Sequence, residues 1–252
     1  LEKRKMKKKF VLLFTLTSVV FSSCDVLQDV ADIALSDTAQ TTTPSLTEGE
    51  VASGLKEALT LGITNAVNIT SITDGFLNNV NIRLPFPEDA IKVREKAISW
   101  GMENKINQFE ETLNHAAEEA CKEALPIFKN AIVSMSIQDA FGILNGGDGA
   151  ATKYLKANTT VQLSSAFLPK VEAAIEKVQL TRYWEPIISK YNTFQKFNGG
   201  TQINADLNAY VTGKAIDGLF FVVEKEENKI RKDPLARVTD ILQKVFGSLD
   251  NN

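Results

Sequence analysis

Tyr210, Lys214 and Asp217 are spaced i, i+4 and i+7, which sets a phenol, an ammonium and a carboxylate along one face of a helix. Glu226, Glu227, Arg231 and Arg237 follow soon after. Such a set has two chemical readings. Either the charges pair with one another and lock the last helices together, or they line a polar pocket for an acidic ligand. Lys214 lies next to Ala215 in an apolar helix, so its stem must cross apolar surface. An unpaired ammonium inside is strongly unfavourable. Lys214 is therefore expected to be at least half buried and paired with Asp217, Glu226 or Glu227. A lysine with a strongly shifted pKa would instead make Lys214, Tyr210 and nearby carboxylates an enzyme site.

The remaining reactive side chains are sparse. His115 is the single histidine. Glu111 and Glu118 lie at i−4 and i+3 from it, on the same helix face, and could grip a metal weakly. An exposed charged face explains these residues more simply, and no metal is expected. Cys121 sits six residues after His115, off its face, in an alanine-rich stretch where it reads as a small buried hydrophobe. Asn145-Gly146-Gly147-Asp148-Gly149 has the glycines of a phosphate cradle, but the acidic Asp148 opposes an anion. A helix stop with Asp148 capping the next helix accounts for it. There is no Gly-x-Ser-x-Gly, His-Glu-x-x-His or phosphate-loop lysine motif, and no cofactor is expected.

The strongest address signal is N-terminal. Lys7, Lys8 and Lys9 precede the apolar stretch Phe10 to Phe21, and Ser22 and Ser23 precede Cys24. This is the layout of a secretory signal, too short for a bilayer span of ~20 residues. It resembles the bacterial lipobox, in which the cysteine is lipidated, although Phe21 departs from the usual aliphatic residue. Met6 reads as the start and residues 1–5 as an upstream extension, with the signal running over 1–23. The expected location is the cell envelope, lipid-anchored through Cys24, on the periplasmic face or outer membrane. Cys24 and Cys121 are the two cysteines, so a lipidated Cys24 leaves Cys121 no disulfide partner. Losing the first 23 residues removes six positive charges and one negative, taking the net charge from −3 to −8. An acidic mature chain disfavours nucleic acid.

These residues must be positioned by helices. Residues 24–50 read as a lipidated start and a Ser/Thr-rich flexible tether. Within it, Asp37-Thr38-Ala39 resembles the O-glycan acceptor motif of exported proteins of the Bacteroidetes, with Thr38 as acceptor. From Val51 the pattern is helical. Thr47 with Glu50 fits a capping box, and Leu55, Ala58, Leu59, Gly62, Ile63 and Ala66 form one apolar face. Residues 74–87 are irregular, with Leu84 and Phe86 extended before prolines. Ile106, Phe109, Leu113, Ala116, Ala117, Ala120 and Ala124 mark the clearest stripe, and Pro126 should kink or restart that helix. Ser136 to Leu144 is a short helix. Val161, Leu168, Val171, Ile175 and Val178 mark a long one that Pro169 interrupts. Trp184, Ile187, Ile188 and Tyr191 mark another. Residues 205–223 form an apolar helix, 224–232 a charged segment, and Asp233-Pro234 starts a last helix with Leu235, Val238, Ile241, Leu242 and Val245 inward. The expected fold is all-α, a single multi-helix domain of about nine or ten helices over 51–247, followed by a tail at 248–252.

Several segments together resemble a known family. They include Gly54-Leu55-Lys56-Glu57-Ala58-Leu59, Asp74-Gly75-Phe76, Ile82-Arg83-Leu84-Pro85 and Leu113-Asn114 with the alanines after it. Pro126-Ile127-Phe128, Ala150-Ala151-Thr152-Lys153-Tyr154, Tyr210-Val211-Thr212, Lys214-Ala215 and Asp217-Gly218-Leu219-Phe220 continue the pattern, and Glu226-Glu227, Ile230-Arg231, Pro234, Arg237 and Thr239-Asp240 complete it. The string resembles the bacterial exported proteins grouped as domain of unknown function 4197, over about Val51 to Gly247. The resemblance implies one domain and assigns no catalytic residue. The reading is a non-enzymatic envelope lipoprotein that binds a protein partner or a small ligand near the membrane. The alternatives are an enzyme around Lys214 and Tyr210, or a structural spacer.

Overall fold

The computed structural model describes residues 46–99, 101–177, 184, 188–189, 192–193, 195–203 and 206–247. Among them are eight α-helices, two 3-10 turns and no strand. The helices are α1 (Glu48–Ser71), α2 (Ile91–Ser99), α3 (Glu103–Cys121), α4 (Ala124–Val133), α5 (Ile137–Asn145), α6 (Ala150–Lys177), α7 (Leu207–Lys232) and α8 (Asp240–Gly247). The 3-10 turns are Glu88–Ala90 and Pro234–Ala236. The expected signal and tether over residues 1–45, with Cys24 and Thr38, and the expected helix positions Val178, Ile187 and Tyr191 lie outside the described residues. No described helix is long and apolar enough to cross a membrane.

Helix α1 starts where its sequence says. Thr47 Oγ1 accepts from Glu50 N at 3.2 Å, and Glu50 returns the bond to Thr47 N at 2.8 Å. Its expected apolar face is buried throughout. The small-residue stripe of α3 is also buried, which lets that helix lie against α6 and α7. Helix α7 is the hub, packed on α1, α3 and α6. Pro126 sits in the first turn of α4, so the chain does restart there after the turn at 122–123.

Four readings need correction. Pro169 lies inside α6 rather than breaking it. It is exposed, so water can serve the carbonyl it leaves open, and buried Leu163, Phe167, Val171 and Ile175 hold both halves in place. Val161 and Leu168 are exposed, at 76% and 38%, because the buried face runs through Leu155, Thr159 and Leu163 instead. The charged segment 224–232 is the second half of α7, since Val223, Glu227 and Ile230 keep the inward spacing. The last helix starts at Asp240, and Leu235 and Val238 are 89% and 66% exposed. There the chain turns so that Arg237 points inward. Its Nε donates to Ile230 O at 3.1 Å and its second terminal nitrogen to Arg231 O at 2.7 Å, serving carbonyls at the end of α7.

Two glycines of α7 separate packing from propensity. A Cβ on Gly218 would lie 2.6 Å from Phe76 Cε1 and 3.2 Å from Ile82 Cβ, because the 72–87 segment presses its buried Phe76 onto this helix. A Cβ on exposed Gly213 would meet nothing within 4 Å. Alanine gains ~1 kcal/mol over glycine in a helix, and overpacking costs ~1–3 kcal/mol. Gly213→Ala should therefore raise the urea midpoint, and Gly218→Ala should lower it. Equal shifts would show that Phe76 does not press on α7.

Candidate functional site

The seven residues singled out on and after α7 fall into separate places. Tyr210 and Lys214 lie near the start of the helix, Asp217 and Glu226 along its sides, and Glu227, Arg231 and Arg237 at its far end. Lys214 is exposed and forms no ion pair among the described residues, contrary to the expectation of burial. The reason is helical phase. Val211, Thr212, Ala215, Ile216, Gly218 and Leu219 take the inner face, which turns 213, 214 and 217 outward. The Lys214 stem runs beside Tyr210 instead, with Nζ 6.0 Å from the ring centroid. Asp217 faces Lys156 of α6 at 3.8 Å, in an exposed pair. Glu226 accepts from Asn65 Nδ2 of α1 at 3.0 Å.

Tyr210 and Lys214 border an open groove of about 400 Å3 with Pro87, Glu88, Asp206, Leu207 and Ala209. One wall is Pro87 and Glu88, at the end of the segment 82–88. Asn114 of α3 holds it as a neighbouring strand would, accepting from Leu84 N at 2.8 Å and donating Nδ2 to Leu84 O at 3.0 Å. Phe86 then stacks among Phe109 and Trp184, with centroids 4.8 and 5.6 Å away. The other wall is the first turns of α7, where Asp206 caps the helix by accepting from Ala209 N at 3.0 Å. Tyr210 joins the walls by donating its hydroxyl to Pro85 O at 2.9 Å. Burial pushes its phenol up to about 12, and the charges of Glu88 and Glu110 add to the rise. Tyr210 therefore stays protonated at neutral pH and offers a ring, not a base. Glu110 is engaged by Arg94 at 3.0 Å and Arg83 at 3.5 Å. Among the described residues, Glu88 and Lys214 have no such partner.

Two buried carboxylates work differently. Glu227 accepts from Ala151 N at 2.9 Å, from Thr152 N and Oγ1 at 2.8 Å each, and from Arg231 Nε at 3.0 Å. It thus caps the N-terminus of α6 from another helix. Arg231 passes its other donors to Ile143 O at 2.8 Å and Leu144 O at 3.2 Å, at the end of α5. Asp148 does not cap α6 as its position implied; it pairs with Lys232. Gly147 and Gly149 have φ of 75° and 71°, and they make the stop between α5 and α6 that glycine permits. Beside Glu227 and Arg231 lies a cavity of about 20 Å3, room for about one water.

Glu118 of α3 is the second. It accepts from Asp74 N at 3.1 Å, Phe76 N at 3.0 Å and Leu77 N at 3.3 Å, and so anchors the turn after α1. His115 Nε2 lies 3.0 Å from Asp74 Oδ1 and 3.9 Å from Glu118 Oε2. These contacts use His115 for the turn, while Glu111 stays exposed. Among the described residues no three acidic, His or Cys side chains are placed to hold a metal. Cys121 is fully buried, and burial pushes its thiol up to about 12, which leaves it unreactive. Sequence reasoning missed Asn114 and Glu118 as key polar residues. The available signal was two polar side chains at i and i+4 inside an otherwise apolar stripe.

The arrangement defines an all-helical, single-domain protein whose buried charges serve its own backbone and whose accessible polar groups border a surface groove. The chain belongs to the family described as protein of unknown function (DUF4197), whose model matches residues 45–247. That match begins beside the Thr47 cap of α1 and ends with α8. No curated protein and no solved structure matches the chain.

Glu227→Ala should lower unfolding free energy by ~3–5 kcal/mol, because it strands Arg231 and two backbone N–H groups. Asp217→Ala removes an exposed pair and should cost below ~1 kcal/mol. Urea titration of both variants checks the ranking, and a small loss at Glu227 would refute the latch.

His115 gives a pH test. Its pKa is raised above the ordinary 6.5, first by the hydrogen bond to Asp74 and then by the charges of Glu118, Asp74 and Glu111, with burial opposing. Its charge therefore stabilises the fold fully below about 6.5, and that contribution is lost as pH rises through the raised value. The stability gap between the wild type and His115→Gln should be wide at low pH and shrink above neutrality. A gap independent of pH would rule out the contact with Asp74 as the source.

Proposed function

We propose that this protein is a lipid-anchored cell-envelope binding protein, whose helical domain takes up a small ligand or a short protein segment in the groove between residues 85–88 and the start of α7. The anchor rests on Lys7 to Lys9, the apolar Phe10 to Phe21 and the Ser22-Ser23-Cys24 junction. One observation carries the binding reading. The polar groups inside the domain are engaged by the fold, with Thr212 Oγ1 the one buried side-chain atom without a partner among the described residues. Glu88, Lys214 and the Tyr210 ring border a space of about 400 Å3, within the ~300–1,000 Å3 of small-molecule clefts. A protonated Tyr210 beside a solvent-exposed lysine favours recognition over proton transfer.

Fractionating cells that express the full chain or its Cys24→Ala form tests the anchor. The full chain should partition to membranes and the variant to the soluble fraction; identical partitioning refutes it. A small-molecule fragment screen by NMR on the soluble form tests the groove. Binders should perturb the amides of Glu88 and residues 207–214 first, and a screen whose hits all map elsewhere rejects the groove.

A further inference from the structure

The groove carries two ionic groups of opposite sign that form no ion pair among the described residues. Glu88 stands on the 3-10 turn after Pro87, exposed, its carboxylate without a hydrogen bond or ion pair among the described residues. Its charge is close enough to raise the Tyr210 phenol. Lys214 stands one turn beyond Tyr210 on the helix, with its ammonium near the same ring. Asp206 is not equivalent to Glu88, because its carboxylate already caps α7 at Ala209 N. That cap also places a negative charge at the N-terminus of α7, so an incoming anion would be drawn to Lys214 rather than to the helix end. The backbone of the wall offers little. Pro85 O is taken by Tyr210, Pro87 O by Ala90 N, and Pro87 has no N–H. Recognition is left to one carboxylate, one ammonium and the Tyr210 ring, all on the groove lining.

Resting on the reading of this groove as a binding site, we propose that its ligand is a zwitterion of the amino-acid or short-peptide class. Its α-ammonium lies on Glu88, its carboxylate on Lys214, and its body over the Tyr210 ring. A purely anionic ligand would meet Glu88 and the capping Asp206, and a purely cationic one would meet Lys214. Only a molecule carrying both charges meets each groove charge with its opposite. A groove of about 400 Å3 is roomier than one small amino acid needs, which favours a peptide of about two or three residues.

Calorimetry and amide NMR on the full chain test this with triglycine, its N-acetyl form, its C-terminal amide and free glycine. Triglycine should perturb Glu88 and residues 207–214, and blocking either end should weaken binding about tenfold or more. Glu88→Gln should then bind triglycine and the N-acetyl peptide alike, and Lys214→Met should bind triglycine and the amide alike. Both side chains are exposed, so these variants keep the fold, and an unchanged melting curve checks that. Free glycine binding as tightly as triglycine would support the zwitterion and name single amino acids as its source. Blocked peptides binding as well as triglycine would overturn the proposal. Silence from all four probes while uncharged fragments perturb the groove would overturn the ligand class and leave the groove standing. Silence from every probe and fragment there would overturn both.

Discussion

The carboxylate of Glu227 is the group on which the rest of the arrangement depends. Removing such an ion from water costs several kcal/mol even after relaxation, so it can stay only where hydrogen bonds replace its hydration. Here the replacement comes from Ala151 N, Thr152 N, Thr152 Oγ1 and Arg231 Nε. The first three lie in the opening turn of α6, where donors have no intrahelical acceptor. One side chain thereby satisfies two deficits and fixes the start of α6 against the far end of α7. Arg231 extends the tie to the carbonyls that end α5, and Arg237 ties α7 to the turn that leads into α8. Four helices meet at this junction with little polar surface left over. Glu118 repeats the device on a loop, where three backbone donors of the 74–77 turn, those of Asp74, Phe76 and Leu77, converge on one buried carboxylate.

How much of this was legible depended on whether the cause was local. The α1 cap needed only Thr47 and Glu50, three residues apart, and the sequence announced it. The inner faces of α1 and α3 followed from 3.6-residue periodicity. Periodicity failed where a second rule competed with it. Leu235 and Val238 have helical spacing to Ile241, but the carbonyls at the end of α7 needed donors, and turning Arg237 inward sent those two side chains to solvent. Pro169 was read through its own helix alone, whereas tertiary packing on both sides of it overrides the local preference. The cap of α6 was invisible because its acceptor, Glu227, is 75 residues away from Thr152.

The candidate site was half legible for the same reason. The i, i+4, i+7 spacing placed Tyr210, Lys214 and Asp217 on one face correctly, yet it did not say whether that face was inner or outer. The neighbours decide this. Val211, Ala215 and Leu219 are fully buried, so a lysine one residue before Ala215 is carried well away from the core, not along its edge. The other wall of the groove is 125 residues from Tyr210 in sequence. Asn114 helps hold it by supplying the strand-like bonds that an all-helical domain lacks. No spacing rule connects Asn114 to Tyr210; the link is the shared segment 82–87.

The same geometry separates what holds the domain together from what it offers to a ligand. Glu227, Arg231 and Arg237 sit at one end of α7 with their donors and acceptors engaged, and Tyr210 and Lys214 sit at the other. A change at the first end exposes buried charge and is read as lost stability. A change at Glu88 or Lys214 alters an exposed side chain with no ion pair among the described residues, and stability has little to lose. Tyr210 belongs to both, since its hydroxyl ties the wall at Pro85 while its ring faces the groove. Removing only the hydroxyl frees the wall and keeps the ring, whereas removing the ring abolishes the surface on which a ligand would lie. The groove is thus rigid on the side that needs shape and free on the side that needs charge, an arrangement suited to holding a small partner in one orientation.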